Sequence, residues 1–151
     1  MLLQRCEEHS LHLGYRLNPL KCVILAPSSD TQNYTLYGIT IPHETSFSYL
    51  GIPISPGGYL NTQALIQSNT TKALKTMNQM TAIGVNSTGF NKLLSVRFYS
   101  QIVRPQLEYG LEISAVKYKD FQKLESCQNQ CLRQIFGGSP RLSVKVMLHL
   151  Y

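Results

Sequence analysis

The sequence predicts an α+β protein in which a small α/β portion precedes an all-helical bundle. Up to about residue 60 the chain consists of one helix-like stretch and short β-like runs separated by turn residues, whereas from Asn61 the apolar residues recur at helical spacing. The charge changes at the same place: residues 1–60 have three Lys and Arg against four Asp and Glu, and residues 61–151 have eleven against four. We therefore predict two domains, 1–58 and 59–151.

The first portion contains one helix and three short strands. Residues 1–14 have apolar side chains three and four apart and reach Gly14, a residue that commonly ends a helix. Residues 21–26 and 34–41 are rich in strand-forming residues and are joined by turn residues, which predicts a β-hairpin. Residues 48–54 predict a third strand, which ends at Pro56-Gly57-Gly58.

The helical portion begins with an amphipathic helix from Asn61. Its two sides are apolar (Ile66, Ala73, Met77, Met80) and polar or basic (Ser68, Lys72, Lys75, Gln79).

A second helix is predicted from Asn91, a good N-cap residue. Leu94, Phe98 and Ile102 form one apolar face and Val96 and Val103 lie nearly across from it, so we expect this helix to be mostly buried. Pro105 predicts a kink or break within residues 101–105, because proline cannot donate a helical hydrogen bond.

A third helix, residues 119–136, has Phe121, Leu124, Gln128, Cys131 and Ile135 in register and ends at Gly137-Gly138. An apolar pattern over residues 142–151 is cut off at Tyr151, so we expect a truncated domain at this end.

The four cysteines fit neither a disulfide framework nor a zinc site. Cys127 and Cys131 are four residues apart in a helical pattern, whereas zinc-binding pairs lie in tight turns. We expect Cys6, Cys22, Cys127 and Cys131 to be buried free thiols.

The N-terminus lacks the features of a signal peptide and no long apolar run follows, so we expect an intracellular protein, nuclear or cytoplasmic, with no membrane partner.

Catalytic residue patterns are sparse. The two aspartates, Asp30 and Asp120, are far apart in sequence, and Glu108 and Glu112 share a helical face without a third oxygen ligand nearby. No histidine, serine or cysteine lies in a recognisable nucleophile motif, and no glycine-rich phosphate loop is present. We therefore predict no metal site and no cofactor in this chain. The basic second portion suggests a polyanionic partner, with a merely solvated basic surface as the open alternative.

Five stretches, taken in order, carry a family resemblance: "HLGYRLNPLKCVIL", "YTLYGITI", "SYLGIPI", "LLSVRFYSQIVRPQLEYGLEI" and "LESCQNQCLRQIFGG". Together they resemble the segment downstream of the active site in reverse transcriptases of non-LTR (LINE-type) retrotransposons. The resemblance covers nearly the whole chain. It implies the end of a polymerase palm followed by a helical thumb, and hence a fragment of an RNA-directed DNA polymerase.

The resemblance assigns roles to particular residues. Gly14, Leu17, Asn18 and Lys21 match a turn after the catalytic strand, and Lys21 is the accessory candidate that would assist the leaving pyrophosphate. Residues 49–52, Tyr-Leu-Gly-Ile, match the primer-grip turn. The implied nucleic-acid-binding residues are Tyr49, Gly51, Lys72, Lys75, Lys92, Arg97 and Arg104.

The resemblance also implies what the chain lacks. The family holds Mg²⁺ through aspartates that have no counterpart here, so the chain alone is expected to be inactive. Whether the missing fingers and palm portion is a partner of this chain is left open. The expected partner is an RNA–DNA or RNA template–primer duplex, bound through phosphates in a salt-sensitive manner.

Three alternatives remain open at this stage. Arg97 and Arg104 could pair with Glu108 or Glu112 instead of binding phosphates. The helical portion could be a protein-interaction module, which dispersed basic residues would favour over basic residues on one concave side. The chain could also be a non-functional relic of a decayed element, with an open sheet edge where palm strands are missing.

Overall fold

The computed structural model describes residues 2–138 and 144, and it has mixed α and β structure as predicted. The chain divides into two compact units, Met1–Asn61 and Thr62–Tyr151, so the division lies three residues after the predicted boundary. The apolar pattern predicted over residues 142–151 lies outside the described residues, except for Val144, which is buried in the core of the second unit.

The first unit begins with helix α1, Leu2–His12, which ends as predicted before Gly14 at φ +73°. The strand predicted over residues 21–26 is wrong. Asn18 instead caps a short 3-10 turn, Pro19–Lys21, by accepting the Leu20 N–H at 3.0 Å. Proline at the first position of the turn favours it over a strand, and beyond it only Ile24 forms a single parallel bridge, to His43.

Two tight hairpins replace the predicted strand pairing. Strand β1, Thr35–Leu36, pairs with β2, Ile39–Thr40, and strand β3, Phe47–Tyr49, pairs with β4, Ile52–Ser55. The single strand predicted over residues 48–54 is therefore wrong, because the chain reverses inside it. Strand β5, Tyr59–Leu60, completes an antiparallel three-stranded sheet in the order β3-β4-β5.

The first hairpin is tied to helix α1 through Tyr37. The Tyr37 N–H donates a hydrogen bond to Glu7 Oε1 at 2.6 Å, and its hydroxyl contacts the buried Ser10 Oγ. The Arg16 guanidinium lies 4.8 Å from the centre of the Tyr37 ring. These contacts, with the buried Leu36, pack the hairpin on the helix.

The second unit is a helical bundle that begins with helix α2, Thr62–Ala82. Its buried residues include Ile66, Ala73 and Met77, as predicted, while Lys72 at the edge of this face and Lys75 on the other side are exposed. Helix α2 packs against two later helices of the unit, Arg104–Glu108 and Tyr118–Phe136.

The next helical run contains a π-helical turn. Helix α3, Lys92–Phe98, is followed by a π-helical segment, Tyr99–Val103, and by helix α4, Arg104–Glu108. Asn91 caps α3 as predicted, accepting the Leu94 N–H at 2.8 Å. The predicted kink or break takes the form of this π turn, in which the Arg104 N–H bonds to Tyr99 O, five residues back, just before Pro105.

The π turn also changes the buried face. The buried residues are Ser95, Tyr99, Val103 and Leu107. The predicted apolar face is therefore wrong for Leu94 and Ile102, which are at least one-third exposed, whereas Phe98 packs against the core as predicted. In a regular α-helix a four-residue period drifts by about 40° per step. The wider π turn offsets this drift, and therefore residues four apart stay on one side.

Helix α5, Tyr118–Phe136, ends as predicted at Gly137, whose φ is +71°. Leu124, Cys131 and Ile135 are buried as predicted, but Phe121 is 57% exposed. The core of the unit combines residues of α2, the π segment, α4 and α5. The buried Asn69 of α2 donates a hydrogen bond of 2.7 Å to the carbonyl oxygen of Tyr109, the residue that follows α4, and so links the two helices.

Candidate nucleic-acid interface

The residues that match the primer grip form the tip of the β3–β4 hairpin. Tyr49 and Ile52 face each other as the last pair of the ladder, and Leu50 and Gly51 make the turn at φ +50° and +79°. Both values are those of a two-residue type I′ turn. Tyr49 and Leu50 are 60% and 72% exposed, so the tip projects two large apolar side chains.

Leu50 occupies a backbone conformation that normally belongs to Gly, Asn or Asp. The left-handed region costs a residue such as Leu about 1–2 kcal/mol. Tyr37 has the same conformation at φ +51°, but its side chain makes contacts with helix α1 that offset the cost. The Leu50 side chain is mostly exposed, and a strained backbone conformation of this kind is typical of functional turns.

The residues that match the turn after the catalytic strand lie together in the first unit. Gly14 ends α1, Asn18 caps the 3-10 turn and Lys21 is exposed at its last position. Leu17 and Lys21 line an apolar cavity of about 400 Å³ with residues of α1 and β1. The structure therefore brings Lys21 to the mouth of an apolar pocket and places no carboxylate in the lining.

Lys72 and Lys75 are exposed on helix α2, Lys75 opposite to the buried residues and Lys72 at the edge of the buried face. Lys72 lies beside α4, where it lines a small surface pocket with Pro105, Gln106 and Tyr109. These two ammonium groups are available to phosphate oxygens.

Lys92 is engaged inside its own unit. Its Nζ donates to the carbonyl oxygens of Ser87 at 2.7 Å, Ile135 at 2.9 Å and Asn86 at 3.4 Å. An ammonium group has three N–H donors, and all three are used. We therefore assign Lys92 to the stability of the bundle and leave it out of the candidate interface.

Arg104 forms an ion pair with Glu108, which is one of the pairings that the sequence left open. Its Nε donates to Glu108 Oε1 at 2.7 Å, and this hydrogen bond, with the charge of Glu108, raises the pKa of Arg104. Both side chains are more than half exposed, so the pair contributes little to stability. Arg97 is exposed on α3. Of the basic residues in the predicted set, Lys92 and Arg104 therefore have partners within the unit, whereas Lys72, Lys75 and Arg97 are exposed.

The basic and acidic residues of the second unit nevertheless lie in different stretches of its sequence. Residues 62–107 contain five basic residues and no Asp or Glu. All four acidic residues of 62–138, namely Glu108, Glu112, Asp120 and Glu125, follow in the next stretch. Helices α2 and α3 therefore have no carboxylate of their own to repel a phosphate.

The thiols are free but only two are buried. Cys127 and Cys131 lie in the core of the second unit, whereas Cys6 is exposed and Cys22 is half-buried. The expectation of burial is wrong for Cys6, because Cys6 lines the cavity between α1 and β1, which is open and not filled by side chains. Within residues 2–138 and 144, no three His, Cys, Asp or Glu side chains are grouped to hold a metal ion. Over the same residues, none of the helices has the length and apolarity to cross a membrane.

Two features escaped the sequence reasoning. Asn69 falls on the apolar side of α2, and a polar residue there was the available signal that it bonds a neighbouring helix. No sequence pattern predicts a second feature, a cleft between α4 and α5, because the residues that line it come together only when the helices of the bundle pack.

Comparison with protein-family models, curated protein sequences and solved structures finds no match to this chain.

Proposed function

We propose that this chain is a palm-end and thumb fragment of a retrotransposon-type reverse transcriptase that binds a nucleic-acid duplex through its phosphates. The observation that carries the proposal is the acid-free stretch 62–107, which presents Lys72, Lys75 and Arg97 from α2 and α3. A duplex held through phosphates can be of any sequence and can slide, as a polymerase thumb requires.

The β3–β4 hairpin tip supplies the second part of the proposal. Tyr49 and Leu50 are exposed on a strained turn at the position that matches the primer grip. An aromatic side chain and a turn backbone can contact the sugar and phosphate of a strand end without reading its bases. The bond-making groups would come from outside this chain, so we propose binding without catalysis.

The test is binding of a fluorescently labelled RNA–DNA duplex, followed by anisotropy at several salt concentrations. We expect the logarithm of the affinity to fall linearly with the logarithm of the salt concentration. The double variant Lys72→Gln/Lys75→Gln should reduce the magnitude of that slope by about 2, about 1 for each phosphate contact removed. The control, Lys119→Gln/Lys123→Gln, removes the same charge from α5 and should change the slope less.

Three results would overturn the proposal: no detectable duplex binding at low salt, a salt-independent affinity, or equal effects of the two double variants. DNA synthesis by the purified chain would overturn the claim that it binds without catalysis.

A further inference from the structure

A cleft opens between helix α4, the following loop and the first turns of α5. Its volume is about 330 Å³, within the range of pockets that hold small ligands or side chains. Most of the lining is apolar and includes Leu107 of α4 and Phe121 and Leu124 of α5. Glu108 and Glu125 also line it, one from each helix, and no Lys or Arg does.

The segment that leads into this cleft contains several exposed apolar side chains. Residues 109–121 include Ile113 at 60%, Phe121 at 57% and Val116 at 36% exposure, with Tyr109 and Tyr118 also exposed. Singly exposed apolar residues are ordinary, but several in one short segment beside a cleft are typical of a protein-binding surface. The segment is also where the apolar pattern of α5 departs from prediction, since Phe121 falls on the predicted buried face and is not buried.

The charge of the cleft identifies the kind of partner. In a chain with a formal net charge of +6, all acidic residues of 62–138 lie between Glu108 and Glu125, and two of them line this one cleft. Lys119 and Lys123 project from α5 about 160° to 200° around the helix from Phe121, away from the lining. Two carboxylates disfavour a phosphate backbone here and favour a cation.

We propose that the α4–α5 cleft binds a peptide segment of a partner protein in which a bulky apolar side chain is flanked by Lys or Arg. The apolar side chain enters between Leu107 and Phe121, and the flanking cation pairs with Glu125 and competes with Arg104 for Glu108. The exposed Arg104–Glu108 pair is weak enough to be exchanged. This site is independent of the duplex binding proposed above, because its charge has the opposite sign and it uses other residues.

The test uses the full chain and three synthetic amphipathic peptides. The first is built from Leu, Phe and Lys, the second replaces each Lys by Glu, and the third replaces Leu and Phe by Ser. We expect only the first to bind, measured by titration calorimetry, and its amide chemical-shift changes should centre on residues 107–128.

Two pairs of variants locate the site. Glu125→Lys, in the lining, should weaken binding of the first peptide about tenfold, whereas Glu112→Lys makes the same change of charge outside the lining and should change it less than about twofold. Phe121→Ala should weaken binding about tenfold, and Tyr118→Ala, an exposed aromatic outside the lining, should not. Far-ultraviolet circular dichroism of each variant checks that the bundle is folded.

The proposal fails if the Glu peptide binds as well as the Lys peptide, or if Glu112→Lys and Glu125→Lys have equal effects. Self-association of the chain that Phe121→Ala abolishes would instead assign the cleft to a second copy, and would also overturn it. Loss of duplex binding in Lys72→Gln/Lys75→Gln with peptide binding retained separates the two proposals.

Discussion

The Lys92 Nζ lies 2.9 Å from the carbonyl oxygen of Ile135, which joins the first residue of α3 to the last turn of α5. The same ammonium group bonds the loop carbonyls of Asn86 and Ser87. A cation at the C-terminal end of a helix bonds carbonyls that have no helical partner and opposes the negative end of the helix dipole. Lys92 therefore holds three segments of the bundle at one point.

Lys92→Met should lower the free energy of unfolding by about 2 kcal/mol, because carbonyls bonded to a charged donor lose their partner. Urea unfolding followed by circular dichroism measures the change. The control, Lys75→Met, removes an exposed lysine and should change stability by less than about 0.5 kcal/mol. A Lys92→Met variant as stable as the control would mean that the ammonium group does not stabilise the bundle through these carbonyls and is solvated instead.

Ser95→Ala should stabilise the protein. Within the described residues, the buried Ser95 Oγ has no hydrogen-bond partner, and alanine is the better helix former. Removing an unpartnered buried hydroxyl should raise the free energy of unfolding by about 1 kcal/mol. Ser100→Ala is the matched control, since the exposed Ser100 Oγ already donates to Val96 O at 2.8 Å. A loss of stability in Ser95→Ala would mean that an ordered water or another group bonds this hydroxyl.

How far the sequence predicts this fold depends on the kind of signal. Helices α2 and α5 were predictable because their long apolar stripes repeat at one period, and Asn91 and Gly137 are standard end signals. The hairpins were not, because Tyr37 and Leu50 stand where a type I′ turn usually has Asn or Gly. The exposure of Ile102 was not predicted because the π turn, which begins at Tyr99, shifts the register of the residues after it.

The candidate site shows the same division. The exposure of Lys72 and Lys75 follows from the helical period of α2, which the sequence contains. The engagement of Lys92 depends on the carbonyl of Ile135, forty-three residues away, and no local pattern reports such a contact. The α4–α5 cleft likewise exists only when the two helices are packed together.

Leu50→Asn and Tyr37→Asn should change stability in opposite directions, although the two residues share one backbone conformation. Asparagine tolerates positive φ, so Leu50→Asn should stabilise the second hairpin by about 1 kcal/mol. Tyr37→Asn should destabilise the first unit, because the ring and hydroxyl contacts to Arg16 and Ser10 are lost. Thermal unfolding of both variants measures the difference, and a destabilised Leu50→Asn would contradict the strain assigned to this turn.

Cys6, Cys22 and Cys131 should react with iodoacetamide in an order set by exposure. At mildly alkaline pH we expect Cys6 to react first and the half-buried Cys22 more slowly, because its thiol donates to Asn18 O at 3.3 Å. The hydrogen bond between the Cys131 and Cys127 thiols, and then burial, raise the pKa of Cys131, so it stays protonated and unreactive. Mass spectrometry of peptides after timed alkylation gives the order. Modification of Cys131 in native buffer as fast as in urea would contradict the packing of α5.

Asp30 should give the first unit a stability that disappears in acid. The Gln32 N–H donates to Asp30 Oδ1 at 3.0 Å and the Tyr34 hydroxyl donates to Asp30 Oδ2 at 2.8 Å, and together these bonds lower the pKa of Asp30. A carboxyl group whose folded pKa is lowered stabilises the fold above its unfolded pKa of about 3.9, and this contribution is lost as the pH falls through the folded value. Tyr34→Phe should therefore move the Asp30 titration, followed by NMR of its side-chain carbon, toward higher pH. The difference in stability between Tyr34→Phe and the parent chain should shrink as the pH drops below about 3.9, and a titration of Asp30 that is the same in both proteins would show that the Tyr34 hydroxyl does not bond this carboxylate in solution.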